Sequence, residues 1–291
     1  MADTPNDPAA LDGRIRLRAR RREQRTARAR RIHRPGDDFL LALAVDDTLE
    51  RLSLVTRRFE RAGALLAGTD LLARRLSDAP NVEAVERLEA GNGRSADRLD
   101  LGERHFDLVC APWGLHHAVD LPGALIQVRR ALRPDGLLLA TLPGPNTLRE
   151  LREALLAAEA ELRGGAAPRV DGFAEVRDAG ALLQRAGLAL PVTDTDTLTV
   201  RYDDLDALAL DLRRMGATLA EPVPLPRAVW RRAAAIYAER FADPDGRVRA
   251  TWEMVSLSGW APHESQQKPL QPGSAKRSLA DALEAFPVRK G

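Results

Sequence analysis

Residues 106–144 read FDLVCAPWGLHHAVDLPGALIQVRRALRPDGLLLATLPG, and the succession of runs inside them decides the fold. Phe106 to Cys110 form a short apolar run behind a polar break, the pattern of a strand covered on both faces. A turn with two adjacent histidines, His116 and His117, follows. From Pro122 onward, Ala124, Leu125, Val128, Ala131 and Leu132 recur at helical spacing, while Arg129, Arg130 and Arg133 fall elsewhere. Pro134-Asp135-Gly136 is expected to stop this helix, and Leu137 to Leu142 make a second apolar run. A strand–helix–strand unit of this kind takes a right-handed crossover and parallel strands that are neighbouring or near-neighbouring in the sheet.

Outward from that unit, the chain reads as alternating helices and strands. A helix opening at Asp37-Asp38 carries Phe39, Leu40, Leu43, Leu49, Leu52 and Val55 on its apolar face. Strands are expected at 63–67 and 82–85 with a helix over 69–76 between them, and a polar loop covers 91–104. Helices follow at 147–162 and 173–186, the second closed by Gly187. The β-branched alternation of 193–202 reads as a strand, then come helices at 205–215 and 227–241 and a last strand at 248–260. The fold class is α/β, a mostly parallel sheet with helices on both faces.

Composition narrows the function classes. A chain of 291 residues with 44% hydrophobic content can bury a full core. No apolar run approaches the roughly 20 residues that span a bilayer, and no secretory apolar segment stands near the N-terminus. The single cysteine, Cys110, excludes an internal disulfide framework and a thiolate metal cluster, so a cytoplasmic setting is expected. Residues 14–34 hold eleven arginines and one acid, Glu23, leaving 33 basic against 41 acidic groups elsewhere. Such a block could meet nucleic acid, anionic lipid or an acidic protein. However, the chain has 41 Arg to 3 Lys, which points to a general coding bias, and few aromatics interleave with the block. Nucleic-acid binding is therefore not expected. The block also has the composition of a mitochondrial presequence, but it lacks serine and follows Asp3, Asp7 and Asp12.

The order FDLV…LHH…DL…AL…RALRPDGLLL resembles the second half of class I S-adenosylmethionine-dependent methyltransferases of the type 11 group. The resemblance implies a Rossmann-like sheet whose last two strands pair antiparallel at one edge. The helices between those strands would form a lid, here at about 203–243. It also places the turn at 111–119 beside the methyl-transfer site. His116 is then a candidate general base and Trp113 a candidate wall of the substrate pocket. Equally, the histidine pair could be a structural feature of the turn and Trp113 a core aromatic.

The same resemblance implies a cofactor turn of the form Asp-x-Gly-x-Gly-x-Gly, and here the chain departs from it. In the matching segment, only Gly68 remains; Ala64 replaces the acid, Leu66 the first glycine and Asp70 the last. A leucine resists a left-handed turn, and Asp70 would bring negative charge towards the carboxylate of the cofactor. Glu86 is the nearest candidate for the ribose acid, and Ser95-Ala96 stand where an Asp-Ala pair meets the adenine.

Two later stretches, FAEVRDAGALLQRAGLALPVTDTDTLTVRY and GWAPHESQQKPLQPGSAK, are similar to bacterial relatives of mitochondrial complex I assembly factor 5, a family tied to hydroxylation of an arginine on a complex I subunit. The malonyl-carrier-protein methyltransferases share the first half only. His263-Glu264 does not continue to a histidine at zinc-protease spacing, because Gln267 occupies that place, so no metal site is expected. Taken with this resemblance, the chain divides into a partly disordered basic extension at 1–36, a methyltransferase-like domain at 37–262 and a tail at 263–291. It implies an S-adenosylmethionine-using enzyme acting on a protein or carrier-protein substrate, by methyl transfer or arginine hydroxylation. A respiratory complex I subunit would be the partner, and the inner membrane a peripheral location. The alternative is a non-catalytic assembly or binding protein with a decayed cofactor site.

Overall fold

The structure is a computed structural model that describes residues 24–25, 27–29, 31–32, 34, 36–66, 69–88, 99, 101–116, 118, 120–167, 169–170, 176–217 and 224–267. Its centre is the quoted unit. Strand β3 will denote Phe106–Pro112, with all seven residues buried, and strand β4 Leu132–Pro143. They run parallel, Val109 opposite Leu138 and Ala111 opposite Ala140. The crossover is a helix at Leu121–Ala131 that buries Ala124, Leu125, Val128 and Ala131. Its N-cap is Asp120, whose Oδ1 accepts from the Gly123 backbone N–H at 2.9 Å. A Cβ at Gly123 would lie 2.2 Å from Asp120 Oδ2, so that cap requires glycine.

One expectation fails here. Pro134-Asp135-Gly136 does not stop the helix; the helix yields at Leu132, already extended, and β4 runs through the Pro-Asp-Gly triplet. The strand tolerates this because pairing shifts register between Phe106 and Leu108, and Asp135 takes a left-handed φ of 64°.

In chain order the other elements are α1 (Phe39–Ser53), β1 (Ala62–Leu65), α2 (Leu71–Ser77), β2 (Val85–Leu88), then β3, α3 (the crossover), β4, α4 (Arg149–Arg163), α5 (Val176–Arg185), β5 (Ala189–Tyr202), α6 (Leu205–Arg214), α7 (Arg227–Phe241) and β6 (Val248–Trp260). The described strands form one sheet in the order β2-β1-β3-β4-β6-β5. The first four are parallel, and β6 lies antiparallel to both β4 and β5.

Three apolar clusters surround the sheet. One face packs on α3 and α5 through Leu138, Ala140, Val255 and Leu257. The other packs on α1 and α2 through Leu108, Cys110, Leu137 and Leu139. Burial without a charged neighbour pushes the Cys110 thiol far up, so it is an inert core group. The third cluster lies beyond the C-terminal end of β4. Pro143 pairs with Met254, so residues 248–253 of β6 overrun β4 with residues 197–202 of β5 beside them. Around that overhanging antiparallel pair pack Leu151 and Leu155 of α4, Leu208 and Leu212 of α6, and Val229 and Tyr237 of α7. Buried Glu159 holds this cap to its connecting loops, meeting both Arg163 and Arg169, while Arg169 also reaches the Pro224 carbonyl.

Polar ends diverge from expectation in two places. Asp38 makes no side-chain cap on α1, and Asp37 instead accepts from the Arg34 N–H and from Arg214. The described residues of 24–32 are helical, and Ala29 is buried where a Cβ at Gly216 would touch it, so this part of the basic extension packs on the domain.

The opposite end of the sheet, where β4 begins, is closed by the chain that follows β6. Asp135 N–H donates to the Ala261 carbonyl, Ala261 N–H donates to the Gly136 carbonyl, and Gln266 Nε2 donates to Asp135 Oδ1. Arg57 binds the same Asp135 at its carbonyl and carboxylate. This gives the described part of the 260–276 stretch a structural role, at the N-terminal edge of β4.

Buried Asp107 explains the acid in FDLV. Its Oδ2 accepts from the Glu60 N–H at 2.6 Å and its Oδ1 from the Arg61 N–H at 2.9 Å, tying the entry of β1 to β3. Asp107→Ala is expected to cost on the order of 3 kcal/mol, because two backbone donors lose a charged acceptor, and Asp107→Asn about half of that. Urea unfolding measures both; a native midpoint for the alanine variant would remove Asp107 as the tie.

Candidate active site

The chain leaves β1 towards β2 on one side and leaves β3 towards β4 on the other, so the C-terminal ends of β1 and β3 flank a topological switch point, where α/β sheets bind ligands. Trp113 follows directly on β3. Its φ is 51°, a left-handed conformation that is costly for a bulky aromatic. The turn is held because Trp113 N–H donates to the Thr141 carbonyl at 2.9 Å. The indole stacks on Trp252 in the overhanging part of β6 at 5.9 Å with 22° between the planes. Its Nε1 is buried and has no hydrogen-bond partner.

Gly114 packs its backbone against β1. A Cβ there would sit 2.2 Å from the Leu65 carbonyl oxygen, so only glycine allows the turn and the end of β1 to approach so closely. His116 sits one step further along the turn. Its Nδ1 lies 2.6 Å from the Trp113 carbonyl, which can only accept, so Nδ1 carries the proton and Nε2 is the basic nitrogen of the neutral ring. His117 lies outside the described residues.

The positions matched to the cofactor turn are placed unevenly. Ala64 is buried in the core, and Leu66 points into the cluster with Val45, Leu52 and Leu72. Leu66 is not among the described residues with positive φ, so the leucine packs as core and escapes the left-handed strain expected of it. Asp70 is exposed and pairs with Arg74 at 3.2 Å, one helical turn away, which offsets its charge locally. Gly68, Ser95 and Ala96 lie outside the described residues. Glu86 is in mid-strand opposite Gly63, and its Oε2 meets His105 Nε2 at 3.1 Å, beside Arg61. The expected strand at 82–85 falls instead at Val85–Leu88, with only an isolated bridge at Val82. The first residue after β2 is therefore Glu89, which is outside the described residues.

A buried polar network on the other rim escaped the sequence reading. Glu253 of β6 accepts from the Asn146 N–H at 2.7 Å and from Asn146 Nδ2 at 3.1 Å. Glu150 accepts from the Thr251 N–H at 3.0 Å and from the Thr251 hydroxyl. Thr147 Oγ1 donates to the Glu253 carbonyl, and Leu148 takes a left-handed φ of 54°. Together they fix the loop between β4 and α4. An acid within the buried run Trp252-Glu253-Met254-Val255 was the available signal. No group of three potential metal ligands occurs among the described residues.

The family model described as a methyltransferase domain, type 11, matches residues 52–140, which hold β1 to β3, the crossover helix and most of β4. The arginine-hydroxylase NDUFAF5, mitochondrial, of Dictyostelium discoideum is 39% identical over 190 residues, 64% of this chain and 44% of that protein. Its counterpart in Danio rerio is 40% identical over 186 residues, 63% of this chain and 58% of that protein. A malonyl-[acyl-carrier protein] O-methyltransferase of Xylella fastidiosa is 32% identical over 199 residues, 67% of this chain and 64% of that protein. The chain spans about half the length of the arginine-hydroxylases it matches.

The packing of Leu66 sets a test of the departed turn. Leu66→Gly removes a buried leucine side chain and is expected to cost about 2–5 kcal/mol. Asp70→Gly loses only an exposed ion pair and is expected to change stability by less than about 1 kcal/mol. Thermal melts of the two variants compare them directly. Equal melting would contradict the core placement of Leu66.

Proposed function

We propose, from the premise that this chain belongs to the class I S-adenosylmethionine-dependent methyltransferase family, that it is an enzyme acting on a protein or carrier-protein substrate. The observation that carries this is the turn after β3, where strained Trp113 and His116 stand at the switch point inside the matched segment. The likeness to arginine-hydroxylases and to carrier-protein methyltransferases supports two chemistries, hydroxylation of an arginine or methyl transfer. Between them, the arginine-hydroxylases are the more similar, and complex I assembly is the corresponding setting.

The described residues fit the cofactor. Leu66 packs away from the turn without left-handed strain, and Arg74 offsets Asp70. Gly68 would let the backbone approach the methionine part, Ser95 and Ala96 would border the adenine, and, with Glu86 in mid-strand, the next acid in sequence, Glu89, would meet the ribose. When bound, S-adenosylmethionine supplies an electrophilic methyl group. His116 would accept a proton from the substrate nucleophile at Nε2, with its ring orientation fixed by the Trp113 carbonyl. Trp113 and Trp252 would wall the substrate side, and the cap of α4, α6 and α7 would exclude water above it. No helix among the described residues is long and apolar enough to cross a membrane.

Calorimetric titration with S-adenosylmethionine tests the enzyme. The native chain should give weak, saturable binding, and Gly68→Val should abolish it. His116→Gln should leave the binding intact while lowering transfer to substrate by about 10²–10⁴-fold. Mass spectrometry of protein substrates incubated with the native chain would separate an added methyl from an added hydroxyl. No binding by the native chain would favour the non-catalytic assembly protein, and an active His116→Gln variant would remove His116 as the base.

A further inference from the structure

Among the described residues, the sheet ends in β5, which pairs with β6. This outermost strand is paired along its 14 residues with β6, and of its backbone donors the Thr195 N–H is met by Asp194 Oδ1 at 2.8 Å. Beside it, on the α1 face of the sheet, runs a groove of about 160 Å³ lined by Leu54, Val55, Leu137, Val192 and Trp260. Leu54 is 79% exposed and Val192 is 59% exposed, unusual for apolar side chains placed side by side. Next to them, three carboxylates share one guanidinium. Arg51 Nε binds Asp47 at 3.0 Å, and its Nη2 binds Asp194 at 3.1 Å and Asp196 at 3.2 Å. The cluster therefore carries two uncompensated negative charges at the margin of an apolar groove.

Strand geometry joins these features. Val192, Asp194 and Asp196 are two residues apart and share one face of β5, the face towards α1. A strand added alongside β5 would bring alternate side chains over those three positions. We propose that the β5 edge is a docking site for an extended basic segment of a partner protein, which continues the sheet with an apolar side chain beside Val192 and Leu54 and two cationic side chains beside Asp194 and Asp196. The charge excess selects against acidic segments, and the spacing selects an apolar-x-basic-x-basic pattern. The surface lies on the sheet margin, apart from the C-terminal ends of β1 and β3, and it does not depend on cofactor binding.

The test uses the full chain and a fluorescein-labelled peptide, Leu-Thr-Arg-Thr-Arg-Thr, followed by fluorescence anisotropy at low salt. Saturable binding is expected, weakened at least tenfold by Asp194→Lys with Asp196→Lys. A peptide carrying glutamates in place of the arginines should fail on the native chain and bind the doubly reversed variant. Leu54→Glu tests the apolar contact independently, and hydrogen exchange across residues 192–199 should slow when the peptide binds. Absence of saturable binding, or binding indifferent to the reversal, overturns the proposal. Slow exchange in that stretch without peptide, relieved by Arg16→Glu with Arg18→Glu, would assign the edge to the protein's own arginine-rich segment and likewise overturn it.

Discussion

The approach of Gly114 to the Leu65 carbonyl oxygen sets the geometry on which the rest of the candidate site depends. That contact is too short for any side chain, so the turn after β3 is drawn onto the end of β1. Trp113, one residue earlier, takes the resulting left-handed conformation and is held there by its bond to Thr141. His116 in turn hangs its ring on the Trp113 carbonyl. Strain of this kind persists only where the surroundings over-determine it. Here they do so through buried β3 and β4 and through the Asp107 tie to the entry of β1.

Above this point the overhang of β6 creates the second wall. Because β6 and β5 continue past Pro143, Trp252 can reach Trp113, and the same stretch gives α4, α6 and α7 an apolar surface to pack on. Glu253 and Glu150 then fasten the loop that opens α4 to the strand beneath it. Their carboxylates are satisfied by backbone and side-chain donors, which is what permits charge to be buried there. The cap is thus an extension of the sheet, continuous with its last antiparallel pair, β5 and β6. At the opposite end of the strands the residues after β6 close on Asp135, so the family-like stretch that begins at Trp260 serves the base of the sheet in its described part.

Much of the fold was legible because its periodicities are clean. The parallel β3–β4 pair, helix α7 at Arg227–Phe241 and strand β6 at Val248–Trp260 fall where the sequence pattern puts them. The failures have local causes. Pro-Asp-Gly normally breaks a helix, but a register shift and a left-handed Asp135 let a strand absorb it. The strand expected at 82–85 lies at Val85–Leu88, because Val82 is buried as an isolated bridge, and Glu86 therefore stands mid-strand and not at the strand end. At the site, the turn with Trp113 and His116 could be read from family likeness. The Glu253 network could not, since its partner Asn146 lies 107 residues away in sequence. Leu66 looked like a damaged glycine position, whereas its side chain completes the core under α1 and α2.

The central claim is that the ends of β1 and β3 still form a cofactor cleft despite the lost glycines. A crystal structure of the full chain grown with S-adenosylhomocysteine measures this most directly. Density for the ligand should lie between the end of β1 and the Trp113 turn, with its amino-acid part against the backbone around Gly68 and its ribose towards the end of β2. A ligand bound elsewhere, or no ligand at saturating concentration with Gly114 still seated on Leu65, would contradict the claim.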